Sequence, residues 1–310
     1  MVLRLRAFFP KPRIERYRRP VNHKNRCILL LLLQFPLPVN KVPSASSLSV
    51  RGGDDNHGQE EWIRKRKTAQ DAAATRVITG QRFSSKNFRT HPDLYFRESD
   101  APANYVGAFH FGKSLQHYLN EAAAADQVLD TLFEDTQHLW SKFFRWFSRE
   151  AEKSDSVFRA AEYENQKASR FVMRSWQGCG DYALKPHEDA AQCKAPEQSD
   201  FEIQKAADNA IVACNVCIEN SPGGNLHYWN IIPDDASRLE LEISVTGSPY
   251  PLDMLTDIDK QVVRIGVGDI YCFNGKAVHA VEALADHRKS RSTISFLMAR
   301  RDKNTIIHWT

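Results

Sequence analysis

Apolar residues in this chain recur at helical spacing up to about residue 152 and at strand spacing from about residue 168 onward. Leu115, Leu119, Ala122 and Ala123, then Val128, Leu129, Leu132 and Phe133, recur at helical spacing. That spacing gives a helix one apolar face. Leu139, Trp140, Phe143, Phe144, Trp146 and Phe147 continue the stripe with aromatic residues. A stripe of this kind more often packs on a sheet than waits for a partner protein, so residues 113–152 are predicted to be helical support. Residues 61–76 are charged enough for a short exposed helix.

Past residue 168, short runs rich in Val, Ile, Phe and Tyr are separated by Gly, Pro, Asn and Asp. Strands are predicted at 168–177, 211–219, 225–231, 239–246, 261–265, 269–274, 278–284 and 292–299. Short strands in this number predict two packed antiparallel sheets, a jelly-roll barrel (double-stranded β-helix) that is mainly β with flanking helices. Inward-facing residues of such a barrel line a pocket at one mouth. Residues 232–260 read as an insertion beside that mouth, where lids often form.

The charge is unevenly spread. The net +4 of the 310 residues hides eleven Lys and Arg against one acid in residues 1–53. The remainder holds 31 basic and 37 acidic side chains. The folded part is therefore mildly acidic, and charge gives no support to nucleic-acid binding. Three organisational units are expected: a basic extension over 1–60, disordered or carrying a targeting address; a helical N-terminal part of the domain over 61–160; and the barrel over 161–310. The run Cys27–Leu33 is too short for a membrane-spanning helix, which needs about 20 apolar residues. Its basic lead-in fits a signal peptide, a transit peptide or an extension with no address. A cytoplasmic location is expected, with organellar or secretory targeting by residues 1–50 as the alternative. Among six cysteines, Cys214 and Cys217 have C-x-x-C spacing. They lie in a strand-like run, where an offset of three separates the faces, so free thiols are expected.

The chemistry gathers in Trp176-Gln-Gly-Cys-Gly-Asp-Tyr-Ala-Leu-Lys-Pro-His187-Glu-Asp189. In an extended segment His187 and Asp189 share a face and converge on a point where a metal can sit. A second histidine, His279, follows Gly268-Asp-Ile-Tyr-Cys-Phe273. Two His and one carboxylate on one face of iron(II) are the ligand set of non-haem oxygenases. Its rivals are His287, in a charged turn, and His308, beyond the strand set. Arg291 opens the strand pattern Arg291-Ser-Thr293-Ile-Ser295, and its planar guanidinium suits a carboxylate. Arg288 is its rival in the preceding turn. Tyr182 and Trp176 either line the pocket or pack in the core. Asn215, inside an apolar run, needs partners if buried, and the pocket's ligands are candidates.

Several motifs in order resemble the iron(II)- and 2-oxoglutarate-dependent oxygenases, in the branch of prolyl-hydroxylase-like and small-molecule hydroxylases. Phe171-Val-Met-Arg-Ser-Trp176 through Asp189 resembles the first metal strand and its lead-in. Ile211–Glu219 with Gly223-Gly224 resembles a central strand and its glycine turn, and Gly268–Phe273 the strand before the distal histidine. A lone His-x-Asp is weak; the ordered set, over roughly residues 160–310, is strong. The resemblance implies that His187, Asp189 and His279 hold Fe(II). It further implies that Arg291 binds the distal carboxylate of 2-oxoglutarate, with Thr293 as a hydroxyl partner and Tyr182 and Asn215 as further contacts. Dioxygen is the third participant. Members of the family that halogenate replace the carboxylate ligand by a small residue, so Asp189 implies hydroxylation or a related oxidation. A small-molecule substrate is expected first. Hydroxylation of a protein side chain is the alternative, and a binding scaffold that keeps the fold without catalysis is the non-enzymatic one.

Overall fold

A computed structural model describes residues 2–6, 103–132, 137–177 and 181–310. In chain order these form β1 (Val2–Arg6), β2 (Ala103–Val106), α1 (Leu115–Leu132), α2 (Gln137–Glu152), β3 (Val157–Ala160), β4 (Glu162–Tyr163), β5 (Gln166–Lys167) and β6 (Val172–Gln177). Then come β7 (Tyr182–His187), α3 (Glu202–Ala207), β8 (Ile211–Glu219), β9 (Leu226–Trp229), α4 (Asp235–Glu240), β10 (Lys260–Val263) and β11 (Asp269–Asn274). β12 (His279–Glu282), β13 (Ser290–Asp302) and β14 (Thr305–Trp309) complete the series.

From β6 onward the chain passes back and forth between two sheets. β11, β8, β13 and β6 lie side by side in the larger one, and β10, β9, β12 and β7 in the smaller. Strands β6 to β13 are thus the double-stranded β-helix expected from the eight-strand pattern. β13 runs for 13 residues and changes partner on one side. Its first half pairs with β6 and its second with β14.

The larger sheet is buried on both faces, which is why β8 reads as a near-continuous apolar run. Outward residues Ile294, Phe296 and Met298 of β13 pack with Leu129 of α1 and Phe147 and Ala151 of α2. The aromatic stripe of α2 is the centre of that layer. Phe147 is fully buried, 5.0 Å from Phe143, 5.1 Å from Phe158 and 5.9 Å from Phe296 between ring centroids. The inner cluster between the sheets contains Ala213, Cys217, Leu226, Tyr228, Tyr271 and Phe273. Cys214 belongs to the outer layer, so the two cysteines of the C-x-x-C pair lie on opposite faces. All four described cysteines are free thiols.

The strand expected at 239–246 does not form. Asp234 caps α4, accepting from the Ser237 amide at 2.8 Å, and Glu242 takes a positive φ of 58°. Local capping thus overrides the alternation of Leu239, Leu241, Ile243 and Val245. The segment 182–187, absent from the predicted strands, is β7. It lies at the edge of its sheet, where the missing N–H of Pro186 breaks no ladder. Residues 2–6 pair with β11, a contact that the reading of 1–60 as an extension did not anticipate. The apolar run 27–33 and the helix expected at 61–76 lie outside the described residues. No helix among the described residues is long and apolar enough to cross a membrane.

Because Phe147 fills a space enclosed by three other rings, Phe147→Ala should lower the unfolding free energy by about 3–5 kcal/mol. Chemical denaturation measures this. A loss below about 1 kcal/mol would mean that α2 rests on the sheet without forming its core.

Candidate active site

β7 and β12 are adjacent in the smaller sheet, and His187 and His279 are direct Cα partners across them. Their rings are 4.1 Å apart between centroids. Each Nδ1 donates to the backbone carbonyl two residues earlier, His187 to Lys185 at 2.8 Å and His279 to Ala277 at 2.9 Å. A carbonyl only accepts, so the proton is on Nδ1 in both rings and the Nε2 lone pairs are free. Those Nε2 atoms are 3.9 Å and 3.7 Å from Oδ1 and Oδ2 of Asp189, respectively. One ligand atom from each of the three residues lies within 4.8 Å of the others.

Burial sets the charge states. It pushes His187 down to about 3, helped by His279 alongside, and His279 down to about 4. Burial also pushes Asp189 up to about 6. Two neutral imidazoles facing a carboxylate do not form ion pairs. Asp189 Oδ2 is buried and has no hydrogen-bond partner among the described residues. An orphaned buried acceptor is costly unless something else satisfies it. A divalent cation fits, because it takes two neutral Nε2 donors and one carboxylate without displacing a bond already made.

The loop holding Asp189 is fixed from behind. Glu188, between His187 and Asp189, is fully buried. Its carboxylate accepts from the amides of Ala190 and Ala191, at 2.6 and 3.1 Å, and from Arg238 Nε at 3.0 Å. Burial holds it above the usual carboxylate range against the pull of Arg238. Arg238, itself buried, comes from α4 in the 232–260 insertion. The insertion grips the same stretch twice more, through Glu188 N to Gly247 O at 3.0 Å and Tyr250 N to Pro186 O at 2.9 Å. Thr246, Ser248 and Pro249 also line the cavity, so the insertion is both wall and buttress. In front, Gly275 leaves the space that the Asp189 carboxylate occupies. A Cβ there would stand 2.5 Å from Asp189 Oδ2.

The cavity has a volume of about 520 Å³. Arg291, at its inner end, is fully buried. Its Nε donates to Gly224 O at 3.0 Å and its Nη2 to Tyr271 Oη at 2.8 Å. Nη1 has no partner among the described residues. Gly224 has a φ of +63°, and a Cβ there would be 2.8 Å from Arg291 Cδ, so the paired-glycine turn makes room for this arginine. Asn215 and Tyr182 both line the cavity. Asn215 accepts from Ser295 Oγ at 2.7 Å, and the Tyr182 hydroxyl is 3.4 Å from His227 Nδ1. Thr293 is not brought into the wall. It is fully buried with its hydroxyl 3.4 Å from that of Ser295, which does line the cavity.

The rivals separate cleanly. His287 is exposed, and His308 is buried 4.9 Å from both Phe144 and Phe158. Arg288 is exposed and paired with Asp286 at 3.1 Å. Sequence reading missed Glu188, Arg238, Gly275 and Tyr271, all of which bear on the site. Only the Gly275 position carried a local signal, a glycine ending a strand shortly before the second histidine.

The family model described as carrier-protein-independent halogenase WelO5 matches residues 86–310. The chain is 30% identical over 213 residues to an L-isoleucine 3(1)-dioxygenase of Pantoea ananatis (strain AJ13355), covering 67% of this chain and 70% of that protein. Two solved structures show weak likeness. An N-substituted L-amino acid dioxygenase from Burkholderia ambifaria AMMD has a TM-score of 0.43 and 13% identity, over 77% of this chain and 91% of that one. SnoN, an alpha-ketoglutarate-dependent epimerase from nogalamycin biosynthesis, has a TM-score of 0.40 and 12% identity, over 76% and 78%.

Gly275→Ala should push the Asp189 carboxylate out of line and weaken iron(II) binding by about 10–100-fold, the usual effect of disturbing a ligand's immediate support. A competition titration against a metal-binding dye reads this directly. Affinity within twofold of the parent would mean that Asp189 has room to spare.

Proposed function

The chain belongs to the iron(II)- and 2-oxoglutarate-dependent oxygenases, within the WelO5-type family of carrier-protein-independent halogenases, and from that premise we propose that it hydroxylates an aliphatic carbon of a free amino acid. It is an oxidoreductase that acts on a small molecule using iron, 2-oxoglutarate and dioxygen. The observation that carries hydroxylation over halogenation is Asp189. Its buried carboxylate, with Oδ2 unpartnered among the described residues, faces both imidazoles and takes the place that a halide would need. The amino-acid class is supported by the relative that acts on L-isoleucine.

In this reading His187 and His279 hold the iron through Nε2 and Asp189 through its carboxylate. Arg291 holds the distal carboxylate of 2-oxoglutarate with Nη1, the nitrogen of its own guanidinium that has no partner among the described residues. When bound, the metal and oxoacid supply the oxidising chemistry, with 2-oxoglutarate split to succinate and carbon dioxide as dioxygen is consumed. The chain's own part is to orient and exclude. The Nδ1–carbonyl bonds fix both rings before any metal arrives. Tyr271 and Gly224 fix the fork of Arg291. Phe273, 4.6 Å from the His279 ring, and Trp176, 5.0 Å from the Arg291 guanidinium, line the path with apolar surface. A dry wall strengthens the charged contacts inside it.

Incubation with iron(II), 2-oxoglutarate, dioxygen and a panel of aliphatic L-amino acids tests the proposal by mass spectrometry. One substrate is expected to gain a single oxygen with matching succinate, and no chlorinated product should appear at any chloride concentration. Asp189→Ala should lose the hydroxylated product. Arg291→Ala should raise the 2-oxoglutarate requirement by about 100-fold, as expected for a buried charge-assisted contact. A chlorinated product from the parent protein would overturn the reading.

A further inference from the structure

A free amino acid brings two polar groups into a cavity, a carboxylate that only accepts hydrogen bonds and an ammonium that only donates them. The wall keeps several buried polar atoms without a partner among the described residues. Asp189 Oδ2 and Arg291 Nη1 are used by the metal and the oxoacid in the reading above. Trp176 Nε1 can only donate. His110 Nε2 is the acceptor that remains among them.

The state of His110 follows from its neighbours. It lies in the loop after β2 and is 2% exposed. Gln198 Nε2 donates to His110 O at 2.6 Å and to Lys113 O at 2.8 Å. Both acceptors are carbonyls, so that end of the side chain is the NH2 group and Oε1 is the accepting end. His110 Nδ1, 3.2 Å from Oε1, must then carry the proton. Burial, with the charge of Lys113 adding to it, pushes the imidazole down to about 4 against the Gln198 contact. The ring is therefore neutral near pH 7, and a neutral ring protonated on Nδ1 has its lone pair on Nε2.

The ring is also held in place. Tyr118, fully buried, meets it at 77° with the centroids 6.1 Å apart. The His110 amide donates to Thr310 O at 3.0 Å, and the Thr310 hydroxyl donates to Ala108 O. Gln198 closes the short helical turn Pro196–Gln198, nine residues past Asp189, so the histidine is tied to the stretch that follows the metal ligand. Phe109 and Phe111, its neighbours in the chain, line the same cavity. Aromatic surface attracts a cation, where an aliphatic wall would not. An orphaned buried acceptor is costly, and a donor on a bound molecule would remove that cost.

We propose that His110 Nε2 accepts a hydrogen bond from the α-ammonium of the amino-acid substrate. This rests on the amino-acid reading above. It makes His110 a determinant of substrate class, because a carboxylic acid without the amine leaves Nε2 unpaired. Gln198 is then a positioning residue, which fixes the tautomer without touching substrate.

The test measures binding by calorimetry without oxygen, on the full chain loaded with iron(II) and 2-oxoglutarate. The probes are L-isoleucine and 3-methylpentanoic acid, the same carbon skeleton without the amine. Two variants separate the two jobs of the ring. In His110→Asn the amide NH2 can replace Nδ1–H toward Gln198, but nothing replaces Nε2. In His110→Gln the longer side chain can bring an acceptor to the Nε2 position. The parent should bind L-isoleucine about 10–100-fold more tightly than 3-methylpentanoic acid, as expected for a hydrogen bond to a charged group. His110→Asn should lose that preference, and His110→Gln should recover part of it. Affinity for 2-oxoglutarate should stay within about twofold in both. It is read from the visible charge-transfer band of the iron–oxoacid complex, which also reports that each variant is folded. Where one variant does not fold, the parent's preference and the other variant decide. A parent that binds both probes equally overturns the proposal. So does a His110→Asn protein with the parent's full preference, which would make the ring structural and leave the amino-acid reading standing. Loss of 2-oxoglutarate binding in place of the preference would assign His110 to the cosubstrate, against the proposal. A parent that binds neither probe removes the amino-acid reading as well.

Discussion

Where β7 meets β12, His187 and His279 face each other as direct Cα partners. Strand pairing fixes the separation of their backbones, and a carbonyl two residues back fixes each ring. A slip of one residue would turn one histidine to the opposite face. Everything at the site follows from this register: the facing Nε2 atoms, the place left for the Asp189 carboxylate and the burial that keeps both rings neutral. The smaller sheet thus does what a flexible loop cannot. It presents two neutral nitrogen donors from residues 92 apart in sequence with their geometry already set.

Asp189, just past the end of β7, lacks that security and is held by other means. The Glu188–Arg238 pair is buried on both sides. Breaking one partner of such a pair typically costs about 3–5 kcal/mol, because the other is left as an unpaired buried charge. Adjacent residues therefore do opposite things. Both oxygens of Glu188 are engaged, and Asp189 keeps one oxygen without a partner among the described residues. The contrast separates a carboxylate fully used by the fold from one that is available to a cation. It also gives the 232–260 insertion a mechanical function, since three of its residues hold the stretch from Pro186 to Glu188.

Much of this was legible in the sequence, and the exceptions have physical causes. His-x-Asp, the distal histidine and the arginine at a strand start are local patterns, and β8, β11 and β13 announce themselves by apolar runs. β7 was obscured because Tyr182–His187 alternates weakly and contains a proline, both consequences of an edge position. The false strand at 239–246 had the right alternation, but capping by Asp234 and the positive φ of Glu242 decided the backbone. Gly275 matters only through Asp189, 86 residues away, and Arg238 only through Glu188, 50 away. No local window contains either pair.

A crystal structure of the protein grown without oxygen in the presence of iron(II) and 2-oxoglutarate, with data at the iron absorption edge, tests the site most directly. One anomalous peak is expected, touching Nε2 of His187, Nε2 of His279 and a carboxylate oxygen of Asp189. The distal carboxylate of 2-oxoglutarate should lie on Nη1 of Arg291. Iron bound through any other set of side chains, or the distal carboxylate seated away from Arg291, would contradict it.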